Sequence, residues 1–317
     1  MYIYLLKRLG MTMIVILIVM IFLGLLVQII PGDPVRTLLG PRATPELVAT
    51  VRSEMDMDKP VYVQVALFIW NALHGNLGND FWTGRPIRQA IGDVLGHTII
   101  LALSSLGLAV ILGVPLGVYS ATHPNSWLDH ILAVTSISFI TIPSYVAALL
   151  LMLLFSVHFR ILPAIGLGKA GDVADYLRHL ILPSVSLAIT WVGYLARLVR
   201  TSLLEVLNTN YIRAAKSFGL RDRIVFYKYA LKNALIPTVT VLGVGLGSMM
   251  AGAMFVEVIF DRPGMGTLIY NAINDRNYPT VRAGVLVIAV LFILANLIAD
   301  FINSWLDPRI QLVKSQG

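Results

Sequence analysis

Long apolar runs dominate the pattern of hydrophobic and polar positions along this chain. A membrane-spanning helix needs about 20 apolar residues, because the hydrocarbon core of a bilayer is about 30 Å thick. The chain of 317 residues contains six such runs, which predict six spanning helices. They extend from Leu9 to Ile30, Thr98 to Ala121, Ile131 to Val157, Leu180 to Ala196, Leu235 to Val256 and Ala283 to Ala299.

The first apolar run follows Lys7 and Arg8 and therefore begins like a secretory signal. It is longer than a signal core, however, and it reaches Pro31 without a small-residue cleavage site. We expect this run to stay in the protein as an uncleaved membrane anchor.

Composition supports a lipid environment. The chain is 57% hydrophobic and 13% charged, and its mean hydropathy of +0.79 is too high for a soluble surface. The net charge is +7, but apolar runs separate the basic residues, which argues for a role in topology and against nucleic-acid binding. The chain has no cysteine, which excludes disulfides, thiolate metal sites and thiol catalysis.

The basic residues also predict the orientation. With the amino terminus inside, the two sides carry equal numbers of Lys and Arg, but six of the outer ones lie in the segment 31–97. Loops longer than about 60 residues follow the charge rule poorly, so the remaining residues decide. They predict that both termini are cytoplasmic.

The predicted span cores contain no Asp, Glu, Lys, Arg or His. Ionisable groups inside a membrane are the usual mark of proton or ion relays, so their absence argues against an ion-coupled secondary transporter. Glu257 and Asp300 lie at span ends, where we expect interfacial charges.

The outer segment 31–97 is amphipathic. Thr44, Pro45 and Glu46 have the form of a helix start, with a capping hydroxyl, a first-turn proline and an acid near the dipole. The predicted apolar faces are Leu47, Val51 and Met55, then Val61, Val65, Phe68 and Ile69, then Ile87, Ile91, Val94 and Leu95. Two interpretations stay open: a cap and landing surface for a substrate-delivering protein, or packing that shields the helix bundle.

The segment between the fourth and fifth runs is strongly basic. It has about 38 residues with eight basic and two acidic side chains, more than a connector needs. Small residues at Ala214 and Ala215 allow close approach to another protein, and Gly219 suits a left-handed helix cap. We predict a short helix, a sharp turn and a second helix here; a polybasic patch on anionic lipid is the alternative.

At this point the sequence resembles the type I ABC-importer permeases, whose EAA loop has two alanines, a glycine four residues later and a following proline. Two departures, Arg213 in place of Glu and the late Pro237, are similar to the peptide and nickel subfamily. Further fragments carry the resemblance along the chain: Pro31-Gly32-Asp33-Pro34, Asp58-Lys59-Pro60, Gly75-Asn76-Leu77-Gly78, Arg262-Pro263-Gly264-Met265-Gly266, Asn277-Tyr278-Pro279 and Asp307-Pro308-Arg309.

The resemblance implies an all-α inner-membrane permease within a larger assembly. Its partners would be a similar second permease, two ATP-binding subunits that use ATP and Mg, an extracytoplasmic substrate-binding protein and membrane lipid, with no nucleic acid. The implied domains are 1–93, a spanning helix with the external segment; 94–304, the permease domain with a coupling segment at 205–233; and 305–317, a cytoplasmic tail. The implied ATPase-coupling residues are Tyr211, Arg213, Ala214, Ala215, Lys216 and Gly219.

The sequence contains no phosphate-binding P-loop, and Gly166-Leu167-Gly168-Lys169 lacks the required spacing. The six histidines form no i, i+4 pair and no His-Glu motif, so we expect interfacial or capping roles for them. We therefore expect no catalytic residue, no metal ligand and no cofactor bound by this chain, and energy supplied by another subunit.

Two further sets of residues are candidates for helix contacts and for the solute pathway. Glycines let helices approach closely, and we expect packing at Gly113, Gly117, Gly243, Gly245 and Gly247. The candidate pathway-lining residues are Ser136, Ser138, Ser248, Met249, Met250 and Glu257, with Thr141 and Ser144 offering polar groups around Pro143.

We expect this permease to pass di- or oligopeptides inward across a bacterial inner membrane. The same architecture could carry nickel chelate, glutathione, an opine or an oligosaccharide. A secondary transporter or channel and a receptor or scaffold are the alternatives of other classes.

Overall fold

The computed structural model describes residues 10–11, 13–22, 25, 35, 39–40, 43–54 and 58–306. These residues form helices and contain no β-strand beyond one isolated bridge, between Asn79 and Pro86. In chain order the helices are α1 (Met13–Phe22), α2 (Pro45–Glu54), α3 (Val61–Leu73), α4 (Ile87–Thr122), α5 (Trp127–Thr141), α6 (Ser144–Leu151), α7 (Val173–Leu207), α8 (Asn210–Ser217), α9 (Asp222–Ile259), α10 (Met265–Asn274) and α11 (Tyr278–Leu306). Two π-helical segments occur: Met152–His158 continues α6, and Val225–Leu231 lies inside α9.

Four helices are long and apolar enough to cross a membrane: α4, α7, α9 and α11. They contain the predicted runs that begin at Thr98, Leu180, Leu235 and Ala283. α5 and α6, with the π-helical segment that continues α6, pass the same test of length and composition when they are taken together as one bent span, which would be the fifth. The run from Leu9 is described only in part, as α1, so six spans remain a prediction.

The third predicted run is not a straight span. The chain bends by 104° between α5 and the helix that runs from Ser144 to His158. Ile142 and Pro143 form the break. Proline has no N–H to donate and restricts the residue before it to extended conformations, so the helix ends there. The prediction of one helix from Ile131 to Val157 is therefore wrong.

The chain divides into two compact units, the first comprising Met1–His97 and Pro263–Ile293. Its apolar interior is built around Ile87, Ile91, Met265 and Ala283. The predicted apolar faces beginning at Val61 and Ile87 are confirmed, since their members are buried or partly buried in this unit.

The predicted inner face of α2 needs a correction. Thr44 accepts a hydrogen bond from the Leu47 amide at 3.3 Å, which confirms the helix start. Val48 and Val51 face inward against Phe81, whereas Leu47 is 47% exposed. Met55 lies outside the described residues.

Asp80 is the polar centre of the first unit. Its carboxylate accepts hydrogen bonds from the Trp82 and Thr83 amides and from the Thr83 hydroxyl. It also accepts from Asn277 Nδ2 at 2.6 Å and from the Thr280 hydroxyl at 3.2 Å. Burial raises the pKa of Asp80, but these hydrogen bonds outweigh burial and hold the pKa below its ordinary value. The carboxylate thus joins the loop after α3 to the turn before α11.

The second unit comprises Thr98–Arg262 and Leu294–Gly317. Its helices approach closely at glycines, as predicted. A Cβ at Gly117 would lie 2.5 Å from the Ala196 carbonyl oxygen, and one at Gly113 would lie 3.0 Å from the Val192 carbonyl oxygen. A Cβ at Gly243 would collide with Ala299, and Gly245 lies against the Trp191 ring.

Several sequence predictions fall outside the described residues. They concern Lys7, Arg8, the fragment from Pro31 to Pro34, the fragment from Asp307 to Arg309, and Lys314. The predicted domain boundaries at residues 93 and 304, and the tail 305–317, also remain predictions.

Candidate functional site

The basic segment forms a short helix, a turn and a second helix. The first helix, α8, begins three residues after the end of α7. Two of its side chains face inward: Ile212 is 1% exposed and Ala215 is 9% exposed. Both pack into an apolar cluster with Leu203, Val225 and Ala230. α8 is therefore fastened to its own chain along one face.

This geometry corrects one detail of the predicted coupling surface. Of the alanine pair, Ala214 is exposed and Ala215 is buried. The two residues point to different faces because successive residues of a helix are separated by about 100°. Ala215 packs within its own chain, so it is absent from the surface open to another protein, which includes Arg213, Ala214 and Ser217.

Two predicted coupling residues contact the second helix of the segment. The Tyr211 hydroxyl accepts a hydrogen bond from Asn233 Nδ2 at 3.2 Å. The Lys216 ammonium lies 3.9 Å from the Asp222 carboxylate, and both side chains are mostly exposed. An exposed pair of this kind contributes little to stability.

Phe218 and Gly219 form the turn that ends α8. Gly219 has a φ of +74°, and its amide donates to the Lys216 carbonyl at 2.9 Å. This left-handed conformation favours glycine, as predicted. Phe218 is 85% exposed, the highest value among the large hydrophobic side chains of the described residues. Phe218 was not among the predicted coupling residues, although an aromatic residue directly before the capping glycine was an available signal.

An ion pair fixes the end of α7 that leads into α8. Arg200 on α7 binds the Asp129 carboxylate on α5 with two hydrogen bonds, from Nε at 2.7 Å and from Nη2 at 2.9 Å. The Ser120 hydroxyl of α4 donates to the same carboxylate, and so does the Asn125 amide. Ser126 caps the start of α5, because its Oγ accepts a hydrogen bond from the Asp129 amide at 3.2 Å. Three helices meet at one buried carboxylate, and sequence reasoning did not single it out.

The predicted pathway residues are divided between two cavities of the second unit. Ser136 is buried and lines a cavity of 320 Å³ together with Arg197 and Arg200. Ser248 and Met249 line a second cavity of 290 Å³ at the break between α5 and α6. Ser138 lines neither, and its hydroxyl donates to the Val134 carbonyl at 3.1 Å.

The remaining two pathway candidates are buried elsewhere. Met250 is 5% exposed and Glu257 is fully buried, and neither lines these two cavities. Glu257 accepts a hydrogen bond from the Thr98 hydroxyl at 2.6 Å, and it interacts with the charge of Arg262. Glu257 is therefore buried within the second unit, and its expected position at the membrane interface stays a prediction. Arg262 is fully buried as well, and it donates to the Tyr176 hydroxyl at 2.7 Å.

A third cavity lies in the first unit, between α3, the loop that follows it and the start of α11. Its volume is 590 Å³, and its polar wall consists of four side-chain amides, Asp80 and Arg282, beside apolar residues such as Phe68 and Phe81. The guanidinium of Arg282 lies 5.5 Å from the centre of the Phe68 ring. On α3, Tyr62, Trp70 and Leu73 are largely exposed.

These features define a class: a polytopic, all-helical membrane protein that presents a short, anchored helix beyond the end of one of its apolar helices. The chain belongs to the family of binding-protein-dependent transport system inner membrane components, whose model matches residues 113–312. The N-terminal model of the same family matches residues 1–102. The resemblance inferred from the sequence is confirmed. The protein is an ABC-importer permease subunit, a multi-pass protein of the inner membrane.

Relatives and a solved structure support this assignment. The chain is 35% identical to the dipeptide transport system permease DppB of Alkalihalophilus pseudofirmus, over 90% of this chain and 92% of that protein. It is 36% identical to the glutathione transport system permease GsiC of Salmonella choleraesuis, over 97% and 98%. The fold is similar to a chain of the inward-facing MetNI methionine ABC transporter, with a TM-score of 0.58, 18% identity, and coverage of 69% of this chain and 97% of that one.

Proposed function

We propose that this permease takes up di- and oligopeptides and is driven through α8 by a separate ATPase. This proposal rests mainly on one observation: α8 has one buried face and one exposed face. One face is buried in its own chain through Ile212 and Ala215, while Arg213, Ala214 and Phe218 are exposed. A helix fastened in this way can pass a displacement on to the helices that hold it.

Phe218 supplies the apolar anchor of the proposed contact. Interfaces typically draw most of their energy from a few aromatic or Arg side chains that enter a pocket on the partner. Phe218 has Arg213 and Lys216 close to it in sequence, so the complementary surface is an apolar pocket with an acidic rim. ATP and Mg are then bound and used by the partner subunits, and this chain contributes no catalytic group.

The connection from α8 to the spans runs through α7. α7 continues to Leu207, and the Asp129–Arg200 pair holds its last turns against α4 and α5. A movement of α8 would therefore displace three helices together, which suits the rigid-body change between inward-facing and outward-facing states.

The proposed assembly has four further components, which are a second, similar permease, two ATP-binding subunits and an extracytoplasmic binding protein. The binding protein would dock on the outer segment, where Tyr62, Trp70 and Leu73 are exposed on α3. The peptide cargo is supported by relatives that are named as dipeptide and glutathione permeases. An identification by mass spectrometry of the ligand that co-purifies with the cognate binding protein would test it, and a nickel chelate or an oligosaccharide there would overturn it.

The coupling proposal has its own experiment. Ala214→Glu and Gly219→Val are compared with the unmodified chain in proteoliposomes that contain the complete assembly. We expect normal membrane insertion, continued ATP hydrolysis and an at least tenfold loss of uptake. Normal uptake in both variants would disprove docking through α8.

A further inference from the structure

The break between α5 and α6 leaves main-chain acceptors without helical partners. Pro143 has no N–H, so the Phe139 carbonyl cannot receive the usual bond from the residue four positions later. In the part of the chain that the structure describes, the carbonyl oxygens of Phe139, Ile140 and Thr141 receive no hydrogen bond. The Ile142 carbonyl receives one, from the Thr190 hydroxyl at 3.3 Å.

Open backbone of this kind is costly inside a membrane. An unsatisfied carbonyl is strongly unfavourable in hydrocarbon, so irregular backbone at membrane depth normally lines a polar or water-filled space. The break has such a space, because Ile140, Thr141 and Ile142 line the 290 Å³ cavity. The Ile140 and Thr141 carbonyls are therefore available to a solute in this cavity.

The chemistry of the cavity wall is polar but uncharged. Four hydroxyl-bearing residues line it: Thr141, Ser144, Thr190 and Ser248. Leu187, Trp191 and Met249 supply its apolar wall, and none of the lining residues carries a charge. Hydroxyls can donate and accept, whereas the free carbonyls only accept. These donors and acceptors match an uncharged ligand group that carries both an N–H and a C=O. The apolar wall beside them does not select one type of ligand side chain.

Gly252 keeps the cavity open opposite the break. A Cβ at this position would lie 3.4 Å from Leu187 Cδ2 and 3.7 Å from Ser144 Oγ, which are ordinary contact distances. A single methyl group therefore fits, while a branched side chain would extend into the space beside Ser144. Trp191 has little room to move away from the cavity, because its ring already packs against Gly245. A Cβ built on Gly245 would lie only 2.8 Å from that ring.

We propose that the break between α5 and α6 is a binding station for the main chain of the transported peptide. The peptide N–H groups donate to the carbonyls of Ile140 and Thr141, and the hydroxyls of Ser144 and Ser248 pair with its carbonyl groups. Recognition of the main chain explains how one pathway can pass peptides of different side chains. The proposal of this binding station rests on the proposed peptide cargo, and it adds the residues that would hold the peptide.

The first test uses the absence of cysteine from the chain. Ser144→Cys and Ser248→Cys are placed separately in the complete assembly, in proteoliposomes with ATP and the binding protein. Methanethiosulfonate ethylammonium is the probe, and its attachment to this chain is followed by mass spectrometry. We expect both sites to react, and saturating dialanine to slow each reaction at least fivefold. Leu150→Cys on α6, outside the cavity, is the control that dialanine should not protect.

The second test narrows the cavity. Gly252→Val should lower uptake of labelled dialanine at least tenfold while ATP hydrolysis stimulated by the binding protein continues. Gly107→Val is the matched control, because a Cβ at Gly107 meets nothing within 4 Å. Normal uptake in Gly252→Val, or equal cysteine labelling with and without dialanine, would overturn the station. Failure of the unmodified assembly to take up any peptide would instead overturn the proposed cargo.

Discussion

Arg200 holds Asp129 through two parallel hydrogen bonds, although the two residues are 71 positions apart. The Asp129 side chain is 5% exposed and the Arg200 side chain is 33% exposed. A bidentate guanidinium–carboxylate pair fixes orientation as well as distance. It therefore fixes α7 against α5 about two turns before α7 ends at Leu207.

Removing one member of this pair should destabilise the protein and weaken coupling. Asp129→Asn leaves a partly buried guanidinium without its counter-charge, at a cost of about 3 kcal/mol. We expect a lower melting temperature in detergent and a lower ratio of solute transported to ATP hydrolysed. Arg197→Gln is the control, since Arg197 is exposed one turn earlier on the same helix. A melting temperature unchanged in Asp129→Asn would contradict the structural importance of the pair.

Phe218→Ala should weaken the attachment of the ATP-binding subunit. Truncation of an aromatic anchor typically costs about 2 kcal/mol or more, which corresponds to a loss of affinity of at least tenfold. The measurement is the fraction of ATPase subunit retained when this chain is purified through a tag. Phe159→Ala, at a residue that is 54% exposed outside the basic segment, should retain the subunit normally. Equal retention in both variants would exclude Phe218 as an anchor.

Gly117→Ala should be poorly tolerated in spite of its small size. The added Cβ would lie 2.5 Å from the Ala196 carbonyl oxygen and 2.8 Å from Val199 Cβ, so α4 and α7 would have to separate. Overpacking of this kind costs about 1–3 kcal/mol. Thermal unfolding of the purified chain measures the effect, and Gly107→Ala, which adds a methyl group in open space, should unfold as the unmodified protein does.

Asp80 should make the first unit sensitive to acid. Its pKa is held below the ordinary value of 3.8 in the folded protein, so the ionised carboxylate stabilises the fold above that pH. This stabilisation is lost as the pH falls through the lowered pKa. Asp80→Asn should therefore reduce the melting temperature most at neutral pH, and the difference from the unmodified protein should shrink as the pH falls below about 4. A difference that grows on acidification would contradict this account.

The sequence predicted the straight helices well, because each long apolar run has only one way to satisfy its backbone in lipid. It did not reveal the 104° bend, since the runs before and after Pro143 are both predominantly apolar. The proline itself was the available signal. Hydropathy alone does not distinguish a kinked helix from a broken one.

Errors at single side chains have a different origin. Leu47 and Val48 are both apolar, and both lie at helical spacing from Val51. Contact with Phe81, distant in sequence, makes Val48 the inner residue. The same holds for Ala214 and Ala215, where packing against Leu203 and Val225 buries the second alanine. Asp129 and Arg200 were unpredictable as a pair, because they lie in different predicted segments.

The hydrogen bond from Asn277 to Asp80 also determines when the first unit can be completed. Asn277 follows Asp80 by 197 residues, so it emerges from the ribosome long after the loop that contains Asp80 has been made. Until then Asp80 lacks two of its donors, and Ile87 and Ile91 lack the apolar partners that α10 and α11 supply. Completion of the first unit is thus a late event in biosynthesis, and a chain terminated before α11 would carry that unit unfinished.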